Sequence, residues 1–203
     1  MIDPFVILAP VLLLPVVALL RFVGCAAILN IDDVTYAPKP GTPVRINCGG
    51  LAVADWLGDA DVPPGASILQ KKDPTKSIQG IDPIVPSIIY DTARVANGAV
   101  REPPGTPVAG AAFFTYTIQV GVGNYDVNLK FAQIDDNLNF GGDVQITING
   151  TTEIQNLDKG LVANDLNGRF RKVAADANGN LTIKFENVNG RFAYVNGIEI
   201  LTV

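Results

Sequence analysis

The chain has 203 residues, room for one domain and an appendage. It is 48% hydrophobic and 17% charged, which excludes a disordered acidic tail, and its net charge of −5 argues against nucleic acid, which requires clustered cations. There is no histidine, so Ser-His-Asp and Cys-His catalysis and histidine metal sites are excluded, and two cysteines are too few for a disulfide framework.

Residues 1–29 form an apolar segment, broken by Pro10, Pro15 and Arg21. As a helix, 5–29 would reach roughly 37 Å, enough to cross a bilayer with some tilt. The segment reads as a membrane anchor, an export signal or, through Phe22-Val23-Gly24-Cys25, a lipid attachment site at Cys25. A buried core helix fits less well, because each proline removes a backbone hydrogen bond. Arg21 follows the main apolar run, a charge placement that by itself favours an inward-facing domain. Residues 30–43, with Pro38, Pro40 and Pro43, read as an extended linker.

From Val44 onward the hydrophobic period is two. Val44–Asn47, Thr115–Val120, Tyr125–Phe131, Val144–Ile148, Leu181–Phe185 and Ile198–Ile200 each alternate apolar and polar residues, as half-buried antiparallel strands do. Asn-Gly dipeptides begin at Asn97, Asn149, Asn167, Asn178, Asn189 and Asn196, and this pair suits tight hairpin turns. Residues 51–112, rich in proline, are expected to form long loops over one end. The expected fold class is all-β, an antiparallel jelly-roll-like β-sandwich over 44–203, preceded by an apolar helical segment.

An ordered series of motifs is similar to the malectin and malectin-like carbohydrate-binding family. It comprises Val44-Arg45-Ile46-Asn47-Cys48-Gly49-Gly50, Trp56 with Asp59, Ile89-Tyr90-Asp91-Thr92-Ala93-Arg94, and Phe114–Ile118. Gly123–Ala132, Val144–Gly150 and Val195–Ile200 complete it. The resemblance implies a galactose-binding-type, malectin-like sandwich that binds an oligosaccharide or polysaccharide through loops at one end, with neither catalysis nor a cofactor. Sugar rings stack on aromatic faces, and their hydroxyls need fixed polar partners. The chain departs from the family pattern at Gln133-Ile134-Asp135-Asp136, where charge replaces an aromatic pair.

The implied carbohydrate-binding residues are Trp56, Asp59, Tyr90, Arg94, Asp135 and Asp136. Each has a second reading. Trp56 is a stacking platform or a loop residue tucked into the core edge; Tyr90 and Arg94 touch ligand or staple loops to the sandwich. Asp135–Asp143 resembles part of a calcium loop, yet Phe140 stands at the glycine position and Ile146 at the bidentate acid position, so a solvated acidic loop is expected and no metal. Cys48 reads as a small buried hydrophobe. Asn149-Gly150-Thr151 and Asn180-Leu181-Thr182 match glycosylation sequons and coincide with turns. The functional expectation is a membrane-tethered or exported carbohydrate-binding module with an extracytoplasmic domain. The alternative is a structural or assembly protein that uses the sandwich for protein contacts, including self-association.

Overall fold

The computed structural model describes residues 42–59, 67–96, 113–134, 142–157, 161–187 and 192–203. The readings of 1–29, of 30–41 and of the loop from Asp135 to Gly141 lie outside them. Among the described residues no helix is long and apolar enough to cross a membrane.

The described chain is an antiparallel β-sandwich. One sheet contains, in order, β2 (Leu57–Gly58), β1 (Val44–Asn47), β12 (Gly197–Thr202), β6 (Asn124–Lys130) and β9 (Leu166–Ala174). The second runs β5 (Phe113–Gln119), β10 (Asn180–Asn187), β7 (Gly142–Ile148), β8 (Thr151–Leu157). A third, smaller sheet joins β11 (Tyr194–Val195), β4 (Thr92–Ala96) and β3 (Ser67–Lys71).

Strand alternation explains the core. Val127, Leu129 and Phe131 point inward from the first sheet beside Ile198 and Ile200 of β12. Phe114, Tyr116, Ile146, Ile148, Ile183 and Phe185 point inward from the second. The rings of Phe114 and Phe185 stack at 5.1 Å, and Phe131 meets Phe185 edge-on at 6.3 Å. Such pairs add specificity to burial that already stabilises each ring by a few kcal/mol, about 1.5–3.

Two expectations need correction. Residues 51–112 are not only loops, because β2, β3, β4 and a short 3-10 helix over Ser87–Asp91 lie among them. The β4 sequence Thr-Ala-Arg-Val-Ala does not alternate, because Ala93, Arg94, Val95 and Ala96 are all buried. The Asn-Gly pairs also divide. Asn149-Gly150 is a two-residue hairpin turn between Ile148 and Thr151, with φ of 43° and 87°. Asn167-Gly168 instead lies inside β9, where the register with β6 shifts. Asn196 is a buried strap: its Oδ1 accepts the Ala132 N–H at 2.7 Å, and its Nδ2 donates to the Thr92 carbonyl at 2.7 Å.

Two exposed aspartates fix turns. The backbone N–H of Thr75 on Asp73, and of Asn180 on Asp176, hold both carboxyls below their usual value of 3.8. The native state therefore binds fewer protons than the unfolded chain near that pH. This stabilisation is complete above 3.8 and is lost as pH falls through the lower native values. Asp176→Asn should flatten the acid limb of a stability–pH profile measured by urea unfolding.

Candidate functional site

Two polar clusters hold the residues singled out in the sequence. The first lies between the small sheet and the sandwich. Asp59 Oδ1 accepts hydrogen bonds from the Gly49 N–H and from Arg94 Nε, the latter at 3.3 Å, while Arg94 Nη2 donates to the Asp59 carbonyl. Tyr116 donates its hydroxyl to Asp59 Oδ2 at 2.5 Å. Asp59 and Arg94 are both almost wholly buried. Burial pushes Asp59 above the ordinary carboxylate range, and the Arg94 charge and the Tyr116 hydroxyl oppose that rise. Burial likewise raises the Tyr116 hydroxyl and the Cys48 thiol well above their usual values, so the thiol here is inert packing. This cluster ties β1, β4 and β5 together and presents no free face.

The second cluster lies at one end of the sheet containing β6. Lys130 ends that strand and points to its outer face, yet it is 1% exposed. Its Nζ donates to Asp165 Oδ2 at 3.1 Å and to Asn167 Oδ1 at 2.6 Å. Tyr90, on the 3-10 helix, donates its hydroxyl to Asp165 Oδ1 at 2.6 Å. Burial first, and then this bond to Asp165, hold the Tyr90 hydroxyl above the ordinary phenol range. Asn167 is exposed and Asp165 half-buried, so this cluster reaches the surface.

Trp56 covers the same end. It closes a tight turn with Val53, donating its N–H to the Val53 carbonyl at 2.9 Å, and its side chain is 3% exposed. Trp56, Ile89 and Lys130 converge on Gly197. A Cβ there would lie 2.9 Å from Trp56 Cζ3, 2.8 Å from Ile89 Cγ2 and 3.3 Å from Lys130 Cγ. Gly197→Ala should therefore destabilise the fold by about 1–3 kcal/mol through overpacking, read as a lower urea midpoint at unchanged slope.

The structure thus brings Trp56 and Tyr90 to one end, and Asp59 and Arg94 into a separate buried cluster. Neither Trp56 nor Tyr90 offers a ring face to solvent, since Trp56 is 3% and Tyr90 0% exposed. Asp135 and Asp136 lie outside the described residues. Lys130, Asp165 and Asn167 were not apparent as a group: alternation assigns Lys130 to a solvated face, and Asn167-Gly168 reads as a turn. Around this end, Ile84 (84% exposed) and Ile88 (47%) stand on the segment leading to Tyr90. Val162 is on a neighbouring segment, bound to the first by the Gln79 N–H to the Leu161 carbonyl and the Ala163 N–H to the Gln79 carbonyl, both 2.8 Å. Among the described residues no group of three or more Cys, Asp or Glu is placed to hold a metal ion.

No protein-family model matches the sequence, and no curated protein matches it significantly in sequence. Solved structures do share its architecture. The complex of plant peptide RALF23 with FER and LLG2 matches at a TM-score of 0.52 and 23% identity, over 83% of this chain and 41% of that one. The ANX2 ectodomain of Arabidopsis thaliana matches at 0.56 and 17% identity, over 78% of this chain and 49% of that one. A calcium-binding mutant of Bacteroides uniformis β-glucuronidase 2 matches at 0.57 and 16% identity, over 81% of this chain and 18% of that one. The chain therefore spans less than half of the receptor chains and under a fifth of the glucuronidase chain. At these identities the likeness concerns architecture alone. On that architecture, the chain has a malectin-like β-sandwich fold.

Proposed function

We propose that this sandwich is a non-catalytic binding module working outside the cytoplasm, held near a membrane by residues 1–29, and that its partner is a protein. The supporting observation is the exposed apolar pair Ile84 and Ile88 beside an end whose aromatic rings are covered. Isoleucine side chains in water favour burial against another protein, whereas a sugar needs a flat aromatic face. The architecture agrees: one similar structure is a receptor chain in complex with a peptide and a second protein. A second copy of the chain is the first partner to test, since a structural sandwich that packs on itself uses the same kind of surface.

Sedimentation equilibrium of the full chain in mild detergent, compared with the Ile84→Glu, Ile88→Glu double variant, tests this. The wild type should self-associate, and the double variant should dissociate at least tenfold more readily while keeping its unfolding midpoint. A wild type that stays monomeric at every concentration removes self-association.

Carbohydrate remains the second reading, favoured by the exposed Asn167 and the partly exposed Asp165 beside it. Its ligand groups would be these two together with Asp135 and Asp136, with Tyr90 holding Asp165 from behind and Asp59 and Arg94 bracing the fold elsewhere. A glycan array probed with the full chain separates the two. Retention on one class of glycan, lost in Asp165→Ala, would favour the sugar; an empty array favours the protein partner.

A further inference from the structure

Lysine is rarely buried, and a buried amine is held against the few groups that pair with it. Lys130 is 1% exposed, its stem packed at Gly197 beside Trp56 and Ile89. Its Nζ lies 2.6 Å from Asn167 Oδ1. A carbonyl bond is about 1.23 Å long, so the Asn167 carboxamide carbon is within roughly 3.8 Å of the amine. That is close to the separation of about 3–3.5 Å from which reactions start. A carboxylate completes the set: Asp165 Oδ2 is 3.1 Å from the same Nζ, and Tyr90 anchors Oδ1 at 2.6 Å. We propose that Lys130 and Asn167 become joined, after folding, by an isopeptide bond that the protein forms itself, with Asp165 carrying the proton.

The chemistry closes without a co-reactant. Asp165 takes a proton from the Lys130 ammonium, and the freed Nζ lone pair attacks the Asn167 carboxamide carbon. Asp165 returns that proton to the carboxamide nitrogen, then takes a second one from the attacking nitrogen as the bond from that carbon to Nδ2 breaks. The departing ammonia takes up this second proton and leaves as ammonium, so Asp165 ends as a carboxylate and an amide links the two side chains. No atom is oxidised or reduced. Because a neutral amide and an amine are the reactants, no activated donor is needed; the folded geometry supplies proximity and the proton carrier.

The fold around the pair favours this reaction over its usual competitor. β6 and β9 are antiparallel neighbours with Leu129 opposite Leu166, which sets Lys130 across from Asp165, and Asn167 follows two residues on, where the register shifts and its side chain reaches the same amine. Asparagine before glycine ordinarily cyclises by attack of the following backbone nitrogen. Here the Gly168 N–H donates to Asn128 Oδ1 at 2.8 Å, and Gly168 holds a φ of 66°, which turns that nitrogen to the neighbouring strand. The bond would pin β9, an edge of its sheet, without the redox sensitivity of a disulfide. It stands independently of which partner the module binds.

Mass spectrometry of the full chain, expressed and purified without denaturant, tests the proposal. The intact protein should weigh about 17 Da less than its sequence, the mass of one ammonia. Cyclised asparagine loses the same mass, so the location matters. A tryptic digest should yield residues 102–159 joined to 160–169 in one branched peptide, uncut at Lys130. Lys130→Arg keeps the charge and should restore the full mass; Asp165→Asn should remove most of the cross-link. If the wild type is cut after Lys130 and gives linear 160–169, the proposal is wrong and the contact is an ordinary hydrogen bond. This digest requires no variant to fold. A cross-link persisting undiminished in Asp165→Asn would overturn the role of Asp165.

Discussion

Asp59→Ala is expected to cost about 3–5 kcal/mol of folding stability, the penalty for removing one partner of a buried ion pair. Domains of this size hold only about 5–15 kcal/mol in total, so the variant should be near the edge of folding. The cost has three sources: the Arg94 guanidinium loses its carboxylate, Tyr116 loses the acceptor of its hydroxyl, and the Gly49 N–H is left unpaired. Asp59→Asn keeps an oxygen for Gly49 but removes the charge, and it should fall between wild type and alanine. Replacing both Asp59 and Arg94 by apolar residues should cost less than the sum of the single changes, since no charge is then stranded. Urea unfolding of wild type, the apolar replacement of Asp59 alone, that of Arg94 alone and the double variant measures this; additive costs would show that the pair is not coupled.

Trp56→Ala is expected to destabilise by about 3–5 kcal/mol, as truncation of a buried aromatic does. Its ring fills the space above Gly197 and beside Ile89, and a cavity there would also let water reach the Lys130 stem. Binding by protein that remains folded should be unaffected, because the ring touches no solvent. Loss of binding at unchanged stability would instead identify Trp56 as a contact residue.

Much of the sandwich was legible because its central strands face the core on one side only. Tyr125, Val127 and Leu129 alternate with polar residues, and their partners Ile198 and Ile200 do the same. β4 was not legible, since it is covered on both faces and its single charge, Arg94, is satisfied inside. β8 and β9 were missed for the opposite reason. Both are edge strands with much exposed surface, and Asn167-Gly168 inside β9 carries the composition of a turn. Residue type located the polar side chains that matter, but not what they do. A tryptophan in a polar stretch reads equally as platform or packing, and only its placement over Gly197 decides. Lys130 shows the limit most clearly: nothing in an alternating strand distinguishes a solvated lysine from one covered by Trp56 and Ile89 arriving from far earlier in the chain.

The central claim is that Trp56, Tyr90, Asp59 and Arg94 support the fold instead of meeting ligand. Trp56 is the only tryptophan, so its fluorescence tests this directly. Emission from the folded full chain, titrated with iodide and then with gluco-oligosaccharides, should be blue-shifted, protected from the quencher, and unchanged by sugar up to millimolar concentrations. Emission that iodide quenches freely in the folded protein, and that oligosaccharide protects, would contradict the account.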